Sequence, residues 1–376
     1  MAQRKDIPSL TGLRGVAACA VLFAHVMDTA FSYEPMLHPF SSRLAYFGMS
    51  LFFVLSGFVI HFNYADLFRT EPLMSAIWRF FVARFARLYP LYAVAILLSL
   101  QMIPVPFSRW VVLSYLTLTQ SWFNLEMAMY PPTWSISTEW FFYLAFVPLT
   151  AVVVAMRRPI GVFVIFSIAA IAVLSFAFAL WRDQITAFSR EWFWHGEPVS
   201  SDPWGWWIYF SPYVRLLEFL VGMLMAQAYR IRATQLPQII LPACLLWVGI
   251  VIAASTWTAT DSLAPNFLYA PAIALVMLHV STSKSWLSRA LSSPPMIFLG
   301  TISYSIYIWS FYVFAMLNLT FAAGHPITIL YVNSGLRIVV LCAVTVVVAY
   351  GSYNLIETPG RRWIRKWGSP HVERKL

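Results

Sequence analysis

Long apolar runs recur from one end of this chain to the other, and they constrain the fold more than any other feature. Each run is about 20 residues long, which is the length that an α-helix needs to cross a hydrocarbon core of about 30 Å. Hydrophobic residues make up 60% of the 376 residues and charged residues 11%, against about 45–50% and about 25% in soluble domains. The sequence therefore predicts an all-α polytopic membrane protein and excludes a soluble, disordered or coiled-coil protein.

The topology is predicted from ten apolar spans and the basic residues between them. The spans are 12–31, 44–63, 88–103, 135–156, 159–181, 206–229, 238–257, 264–281, 296–317 and 331–356. Of the 25 Lys and Arg residues, 18 fall on one side of the predicted bilayer, four fall on the other and three lie within spans. Because basic residues are enriched on the cytoplasmic side, the N-terminal segment 1–11 and the tail 357–376 are both predicted to be cytoplasmic.

Two stretches lie outside this simple pattern. The apolar stretch 110–122 is short for a crossing, and counting it as a span would place Arg157 and Arg158 outside the cell. It is interpreted as a re-entrant or interfacial segment, because non-helical backbone is tolerated at membrane depth where protein surrounds it. The polar and aromatic stretch 182–205 is predicted to be the largest outer loop. With no soluble domain on either side, residues 1–376 are predicted to form a single transmembrane domain.

The charge balance and the cysteines narrow the function classes. A net charge of +10 is compatible with nucleic-acid binding, but the basic residues follow the spans and form no basic domain, so no nucleic-acid partner is predicted. The three cysteines lie inside apolar runs without CxxC spacing, which predicts neither a disulfide framework nor a metal site. Patterns for nucleophile-elbow hydrolases, zinc proteases and nucleotide-binding loops do not occur. The chemistry must therefore come from ionisable residues inside the membrane.

Arg14 and His25 lie together in the first span. A charge at membrane depth costs about 2.5–3.5 kcal/mol or more, so each one is a functional hypothesis. The two residues are 11 positions apart, which is about three full helical turns, so they share one face and are separated by roughly 16 Å along the axis. Arg14 is predicted near the cytoplasmic surface and His25 beyond the midplane. The structural alternative is a snorkelling arginine and a histidine that is hydrogen-bonded in the bundle.

Two further patterns carry charges towards the same bundle. In PPTWSISTEWFFY, Ser135 and Glu139 share a helical face, and Glu139 is predicted at a depth that matches His25, where a carboxylate orients a general base. In WRFFVARFARLYP, Arg84 and Arg87 share a face just before the third span, and paired guanidinium groups suit a phosphorylated ligand. Interfacial anchoring of the chain explains both patterns about as well.

Two other sets of buried polar residues are predicted to serve packing. Arg215 and Glu218 stand at i, i+3 in PYVRLLEFLVGM, where they are on one face and are predicted to form an ion pair inside the membrane. His61, at the inner end of the second span, is predicted to be a hydrogen-bonded core residue. Neither set is assigned a part in chemistry.

The motifs of this chain, taken together, resemble those of the membrane-bound acyltransferase-3 family, the bacterial sugar and polysaccharide O-acyltransferases. The resemblance extends along essentially the whole chain, in the family's order. The motifs read LTGLRGVAACAVLFAHV, FFVLSGFVI, RFARLYPLY, PPTWSISTEWFFY, RLLEFLVGM, GTISYSIYIW and ETPGRRW. The resemblance implies a multi-pass enzyme of the bacterial inner membrane that transfers an acyl group, most often acetyl from acetyl-CoA, to a carbohydrate hydroxyl.

The resemblance also implies roles for five residues. His25 is the expected base, and Arg14 is its partner in the same motif. Arg84 and Arg87 resemble the pair that holds the phosphates of CoA, and Glu139 matches the family's acidic residue, which is expected to orient His25 or bind the sugar. Acyl-CoA is then a donor substrate rather than a permanently bound cofactor, and no metal is expected. Direct transfer and an acyl-histidine intermediate fit these residues equally well.

Two alternative functions use the same residues. A transporter or flippase of lipid-linked sugars also carries intramembrane charges, although transport alone does not require the first-span pair together with the arginine pair. An acyltransferase that modifies a small glycosylated metabolite shares the mechanism and differs in its acceptor. The acceptor expected from the resemblance is an exopolysaccharide, an O-antigen or a lipid-linked sugar.

Overall fold

The described part of the chain is built from α-helices and short helical turns. A computed structural model describes residues 6–30, 38–100, 107–125, 127–177, 180–192, 203–231, 236–237, 239–254, 267–322 and 334–368. The helices are α1 (Pro8–Ala30), α2 (His38–Tyr64), α3 (Leu67–Thr70), α4 (Leu73–Ser99), α5 (Arg109–Leu116), α6 (Trp134–Ala155), α7 (Pro159–Ala172), α8 (Arg182–Trp192), α9 (Pro212–Arg230), α10 (Ile240–Ala254), α11 (Tyr269–Thr282), α12 (Trp286–Leu291), α13 (Pro294–Thr301), α14 (Ser303–Ala322), α15 (Ser334–Ser352) and α16 (Thr358–Gly368). Single turns cover Gln120–Trp122, Pro131–Thr133 and Pro203–Gly205, and π-helical turns cover Val173–Ala177, Trp206–Phe210 and Tyr353–Glu357. No β-strand occurs among these residues.

The helices correspond to the ten predicted spans. Within the described ranges, seven helices are long and apolar enough to cross a membrane, and an eighth candidate is the pair α13–α14, which is bent by 65°. The shorter apolar helices α10 and α11 coincide with the seventh and eighth predicted spans. The prediction of an all-α polytopic membrane protein is confirmed.

The helix that contains the predicted third span begins before that span. Helix α4 begins at Leu73 rather than near residue 88, so Arg84 and Arg87 lie inside the helix instead of before it. Pro90 also lies within this helix, and membrane helices tolerate such a proline because neighbouring groups satisfy the freed carbonyl. Hydropathy sets the predicted boundary, and the arginines lower the hydropathy of this stretch even though the helix continues through them.

The stretch 110–122 forms no span of its own. It contains most of the short helix α5 and one further helical turn, and its irregular part is enclosed by protein. Gln120 and Ser121 are fully buried, and Ser121 Oγ donates a hydrogen bond to Ser137 Oγ at 2.9 Å. Leu118 has a φ of 59°, a left-handed conformation that costs about 1–2 kcal/mol for a residue other than glycine. Such a conformation persists where tertiary contacts hold it, as in a segment folded back into the bundle.

Parts of three predicted features lie outside the described residues. Of the predicted outer loop 182–205, helix α8 and the turn Pro203–Gly205 are described, and residues 193–202 are not. Residues 1–5 of the predicted N-terminal segment and residues 369–376 of the predicted tail are likewise outside the described ranges.

Helices α1, α2 and α9 form the centre of the bundle, with α2 packed most extensively against the other two. Glycines let the backbones of α2 and α9 meet. A Cβ atom at Gly57 would overlap the carbonyl oxygen of Phe219, and a Cβ atom at Gly222 would overlap the carbonyl oxygen of Val54. Small residues at such contacts are what membrane helices use to approach closely. The contact fixes the position of α2, which forms one wall of the cavity described below.

Replacing Gly57 with alanine is expected to destabilise the protein by about 1–3 kcal/mol, because the added methyl group must push α2 away from the α9 backbone. The measurement is the apparent unfolding midpoint in detergent. Gly249→Ala is the matched control, since nothing lies within 4 Å of a Cβ atom at that position. Equal midpoints for the two variants would contradict the close contact between α2 and α9.

Candidate active site

A cavity of about 90 Å³ lies between helices α1, α2, α4, α6 and α14. Among the described residues, its wall contains four of the five predicted site residues: Arg14, Arg84, Arg87 and Glu139. The other lining residues are apolar, aromatic or serine, and they are Met49, Phe52, Phe53, Leu55, Ser56, Val59, Ile60, Leu88, Ser135, Ile136, Ser303, Tyr304 and Tyr307. The fold thus brings charges from three separate helices to one cavity.

Glu139 is held in a fixed position within the cavity wall. Its carboxylate Oε1 accepts a hydrogen bond from the Tyr143 hydroxyl at 2.6 Å and another from Ser56 Oγ at 3.1 Å. Tyr143 stands one turn further along α6, whereas Ser56 comes from α2. Two donors on one carboxylate oxygen fix its orientation, and the carboxylate lines the same cavity as the three arginines.

Arg84 is buried among tyrosines near the C-terminal end of α2. Its Nη2 donates a hydrogen bond to the Tyr64 hydroxyl at 2.7 Å, and its guanidinium carbon lies 4.6 Å from the Tyr64 ring centre and 5.8 Å from that of Tyr143. Its buried Nε has no hydrogen-bond partner. A guanidinium that is oriented by aromatic rings and retains an unused N–H is well suited to hold an anion.

Arg14 lies among charged residues of both signs. Arg87, Glu139 and Glu357 are all close enough for their charges to act on its guanidinium. Glu357 is buried at the π-helical turn before α16, where it pairs with Arg361 and accepts a hydrogen bond from Ser305 Oγ at 3.0 Å. Sequence reasoning assigned Glu357 no role at the site, although this acid opens the ETPGRRW motif.

Sequence reasoning also missed several polar neighbours of the cavity. Tyr143 follows Glu139 by four positions, so helical periodicity was a usable signal for that contact. Ser56 and Tyr64 carry no such signal, because they reach the site from another helix. Ser303 stands directly after the bend between α13 and α14, and its Oγ is buried without a hydrogen-bond partner. The cavity wall therefore has unused hydrogen-bonding groups on both α4 and α14.

One face of α2 lines the cavity along its length. Met49, Phe53, Ser56 and Ile60 follow one another at intervals of three or four positions, which is the spacing of one helical face. From Met49 to Ile60 the cavity follows the helix for roughly 16 Å. The charged cluster lies at the Ser56–Ile60 end, and the Met49–Phe53 end is apolar.

His25 is not among the described residues that line the cavity. It lies beyond Met49, in the direction in which the cavity-lining face of α2 runs. It is half-buried on α1. A Cβ atom at Gly48 would touch Val21 and the carbonyl oxygen of Ala17, so the adjacent cavity residue Met49 lies about one to two turns short of His25. The apolar end of the cavity therefore points towards His25, and the arginines lie at the far end.

The predicted match in depth between Glu139 and His25 is wrong. Glu139 accepts a hydrogen bond from Ser56, which lies eight positions beyond Gly48 on α2. The carboxylate is therefore near Arg14 and away from His25. The physical reason is the start of α6. This helix begins at the buried Trp134, inside the bundle and after the folded-back segment.

The two sets of residues predicted to serve packing are found in that role. Arg215 and Glu218 form an ion pair at 2.9 Å with about 2% of each side chain exposed, as predicted. His61 is fully buried, with Nε2 3.2 Å from the Gln227 side-chain oxygen and Nδ1 3.4 Å from the Thr150 hydroxyl. Neither set lines the cavity.

Most of the chain is similar to known proteins. Residues 7–354 match the sequence model of a family described as an acyltransferase domain. The acyltransferase MdmB of Streptomyces mycarofaciens is 30% identical over 331 residues, which cover 82% of this chain and 79% of that protein. A protein of Staphylococcus aureus (strain COL), named as a candidate O-acetyltransferase, is 21% identical over 392 residues, which cover 95% of this chain and 57% of that protein. This chain therefore spans just over half the length of the staphylococcal relative, and no solved structure matches it.

Proposed function

Because the chain belongs to the acyltransferase-3 family, we propose that this membrane acyltransferase takes an acyl group, acetyl in the simplest case, from acyl-CoA and transfers it to a hydroxyl of a carbohydrate or glycoconjugate. The family and the enzymatic class are those predicted from the motifs. The donor, the acceptor and the orientation in the bacterial inner membrane are the proposed part.

The observation that carries the proposal is the convergence of Arg14, Arg84 and Arg87 on one cavity with a single carboxylate, Glu139, among the described lining residues. The excess of positive charge favours a polyanion, and arginine forks match phosphate oxygens. CoA is such a ligand, with phosphates at one end and a long neutral arm that ends in the thioester. In this proposal the phosphates bind at the arginine end, and the arm follows the apolar face of α2 towards His25.

The proposed chemistry takes place where the arm ends. His25 removes the proton from the acceptor hydroxyl, whose oxygen forms a bond to the thioester carbonyl carbon. The carbon–sulfur bond then breaks, and the CoA thiolate takes the proton from the imidazolium. In the alternative route the His25 imidazole nitrogen attacks the thioester carbonyl and the carbon–sulfur bond breaks to release CoA; the hydroxyl then takes the acyl group and the imidazole is regenerated. Arg14 and Glu139 position the donor in both routes, and Glu139 is no longer assigned to orient His25 directly.

A hydroxyl acceptor is supported by the staphylococcal relative, whose name describes an O-acetyltransferase. His25 lies beyond the apolar end of the cavity, away from Arg84 and Arg87, so the acceptor is proposed to enter from the outer side of the membrane. A lipid-linked sugar, an exopolysaccharide or an O-antigen reaches that side as part of its assembly. A small glycosylated metabolite remains the alternative acceptor.

The test of the donor uses purified protein in nanodiscs with radiolabelled acetyl-CoA and no added acceptor. We expect saturable binding of acetyl-CoA. Release of CoA with label left on the protein would assign the acyl-enzyme route, whereas binding without label would assign direct transfer. Neither binding nor label would overturn the proposed donor and return the transporter interpretation to consideration.

Reporter fusions test the proposed orientation. A reporter fused after Leu376 is expected to report the cytoplasm, because the basic residues of the tail favour that side. A reporter inserted into the loop 182–205 is expected to report the outside. An external signal from the fusion after Leu376 would contradict both the topology and the entry of the donor from the cytoplasm.

A further inference from the structure

Helix α16 has two distinct exposed stripes. Arg362 and Lys366 form one, and Trp363 and Trp367 form the other, each pair four positions apart and therefore on one side of the helix. The tryptophans are 64% and 71% exposed, with ring centres 6.1 Å apart. The region matched to the family model ends at residue 354, and α16 follows it, with Arg362 and Trp363 in the ETPGRRW motif.

The opposite side of α16 is fixed to α4. A Cβ atom at Gly360 would overlap the Pro90 ring, and a Cβ atom at Gly368 would overlap the Val82 side chain. The Trp78 indole N–H donates a hydrogen bond to the Gly368 carbonyl at 2.7 Å. The two helices thus run side by side in opposite directions, and the stripes of α16 face away from the protein.

The position of α16 along the chain places it at the membrane surface. Helix α15 has 19 residues, or roughly 28 Å of helix, which is about the thickness of the hydrocarbon core. The chain therefore leaves the core near the π-helical turn Tyr353–Glu357, and α16 begins directly after it. Apolar side chains are also exposed at the neighbouring start of α4, at Leu73, Met74 and Trp78.

We propose that the outward face of α16 binds the anionic headgroups of the membrane leaflet, with Arg362 and Lys366 on the phosphates and Trp363 and Trp367 in the headgroup region. Tryptophan is enriched at this depth because its ring is apolar and its N–H is polar, and basic residues beside it attract anionic lipid. The alternation of a cationic and an aromatic stripe is the pattern of a helix that lies against a charged lipid surface.

The charges on and around α16 favour lipid headgroups over a free anion as its ligand. Glu357 and Arg361 pair with each other on the inward side, so the outward stripe keeps the positive charges of Arg362 and Lys366. Both side chains are exposed on the outward side of α16, which suits a layer of headgroups better than a single enclosed phosphate. The α4 segment beneath α16 continues to Arg84, so bound lipid would also hold the helix that carries the arginines of the cavity.

The test measures lipid binding directly and does not depend on acyl transfer. Full-length protein in neutral detergent is titrated with palmitoyl-oleoyl phosphatidylglycerol or the corresponding phosphatidylcholine, and bound lipid is counted by native mass spectrometry. Each basic residue near an anionic surface changes binding about fivefold, so the double variant Arg362→Gln, Lys366→Gln is expected to bind phosphatidylglycerol roughly 25-fold more weakly. Phosphatidylcholine binding should not change.

The matched control is the double variant Arg157→Gln, Arg158→Gln, which removes two exposed positive charges from another loop on the same predicted side. It is expected to leave phosphatidylglycerol affinity within about twofold of the wild type. Equal weakening in both double variants would overturn the proposal, since it would reduce the effect to net charge. A Trp363→Ser, Trp367→Ser variant that loses a dimer in the same spectra but keeps its lipid affinity would instead assign this face to a second copy of the chain.

Discussion

Replacing His25 with alanine is expected to lower acyl transfer by about 10²–10⁴-fold, the usual contribution of a positioned general base. The effect should fall on the rate of transfer and leave the affinity for acyl-CoA nearly unchanged. The reason is geometric, because His25 lies about one to two turns beyond Met49, outside the wall that holds the arginines. Turnover of radiolabelled acetyl-CoA and equilibrium binding of the same molecule, measured on one preparation, give both quantities.

His279→Ala provides the matched control for this substitution. His279 is another buried histidine, on α11, and it is not among the residues that line the cavity. We expect its replacement to retain transfer within a few-fold, even if it alters stability. Retained transfer in His25→Ala would contradict the role as base, and loss in both variants together would indicate disturbed folding rather than lost chemistry.

His25→Ala also distinguishes direct transfer from the route through an acyl-histidine. If the acyl group passes through the imidazole, the wild-type protein retains label in the absence of acceptor and His25→Ala retains none. If the hydroxyl attacks the thioester directly, neither protein retains label, and both still bind acetyl-CoA. A protein that retains label after removal of His25 would place the covalent intermediate on another residue.

The helices and the charged residues of the cavity could be predicted from the sequence, each for a different physical reason. Apolar runs of about 20 residues identify membrane helices locally, since the bilayer sets the required length. Glu139 stood out because charges are rare inside such runs, and Arg84 and Arg87 stood out as two guanidinium groups on one helical face. That they meet Arg14 in one cavity follows from the packing of five helices, and the only hint of it in the sequence was the family resemblance.

The other features of the site depend on contacts between helices, which the sequence of a single helix does not indicate. Ser56 reaches Glu139 across the gap between α2 and α6, and neither residue's own surroundings in the sequence indicate the other. The depth of Glu139 depends on the preceding chain, which folds back into the bundle and starts α6 at the buried Trp134. A topology drawn from hydropathy starts every helix at a membrane surface, so it places this carboxylate too near His25.

Replacing Arg84 and Arg87 together with glutamine is expected to weaken acyl-CoA binding by about 10²-fold or more. A hydrogen bond to a charged group contributes about 1.5–3 kcal/mol, and two adjacent arginines are not fully additive. The rate of transfer at saturating donor should change little, because phosphate contacts far from the thioester are made equally in the bound state and in the transition state. The effect should therefore appear in Kd and KM, in contrast to the effect of His25→Ala on kcat.

Arg79→Gln is the control that separates a phosphate site from a general basic surface. Arg79 lies on the same helix, less than two turns before Arg84, but it pairs with Glu71 and is not among the described residues that line the cavity. A partly exposed pair of this kind contributes about 0–1 kcal/mol, so the control should keep its donor affinity within a few-fold. If Arg79→Gln weakened binding as much as the double variant, the donor would be held by the summed charge of the cytoplasmic face. If neither did, the phosphates of CoA would not bind at the arginine end of the cavity, and the direction proposed for the donor along α2 would be wrong.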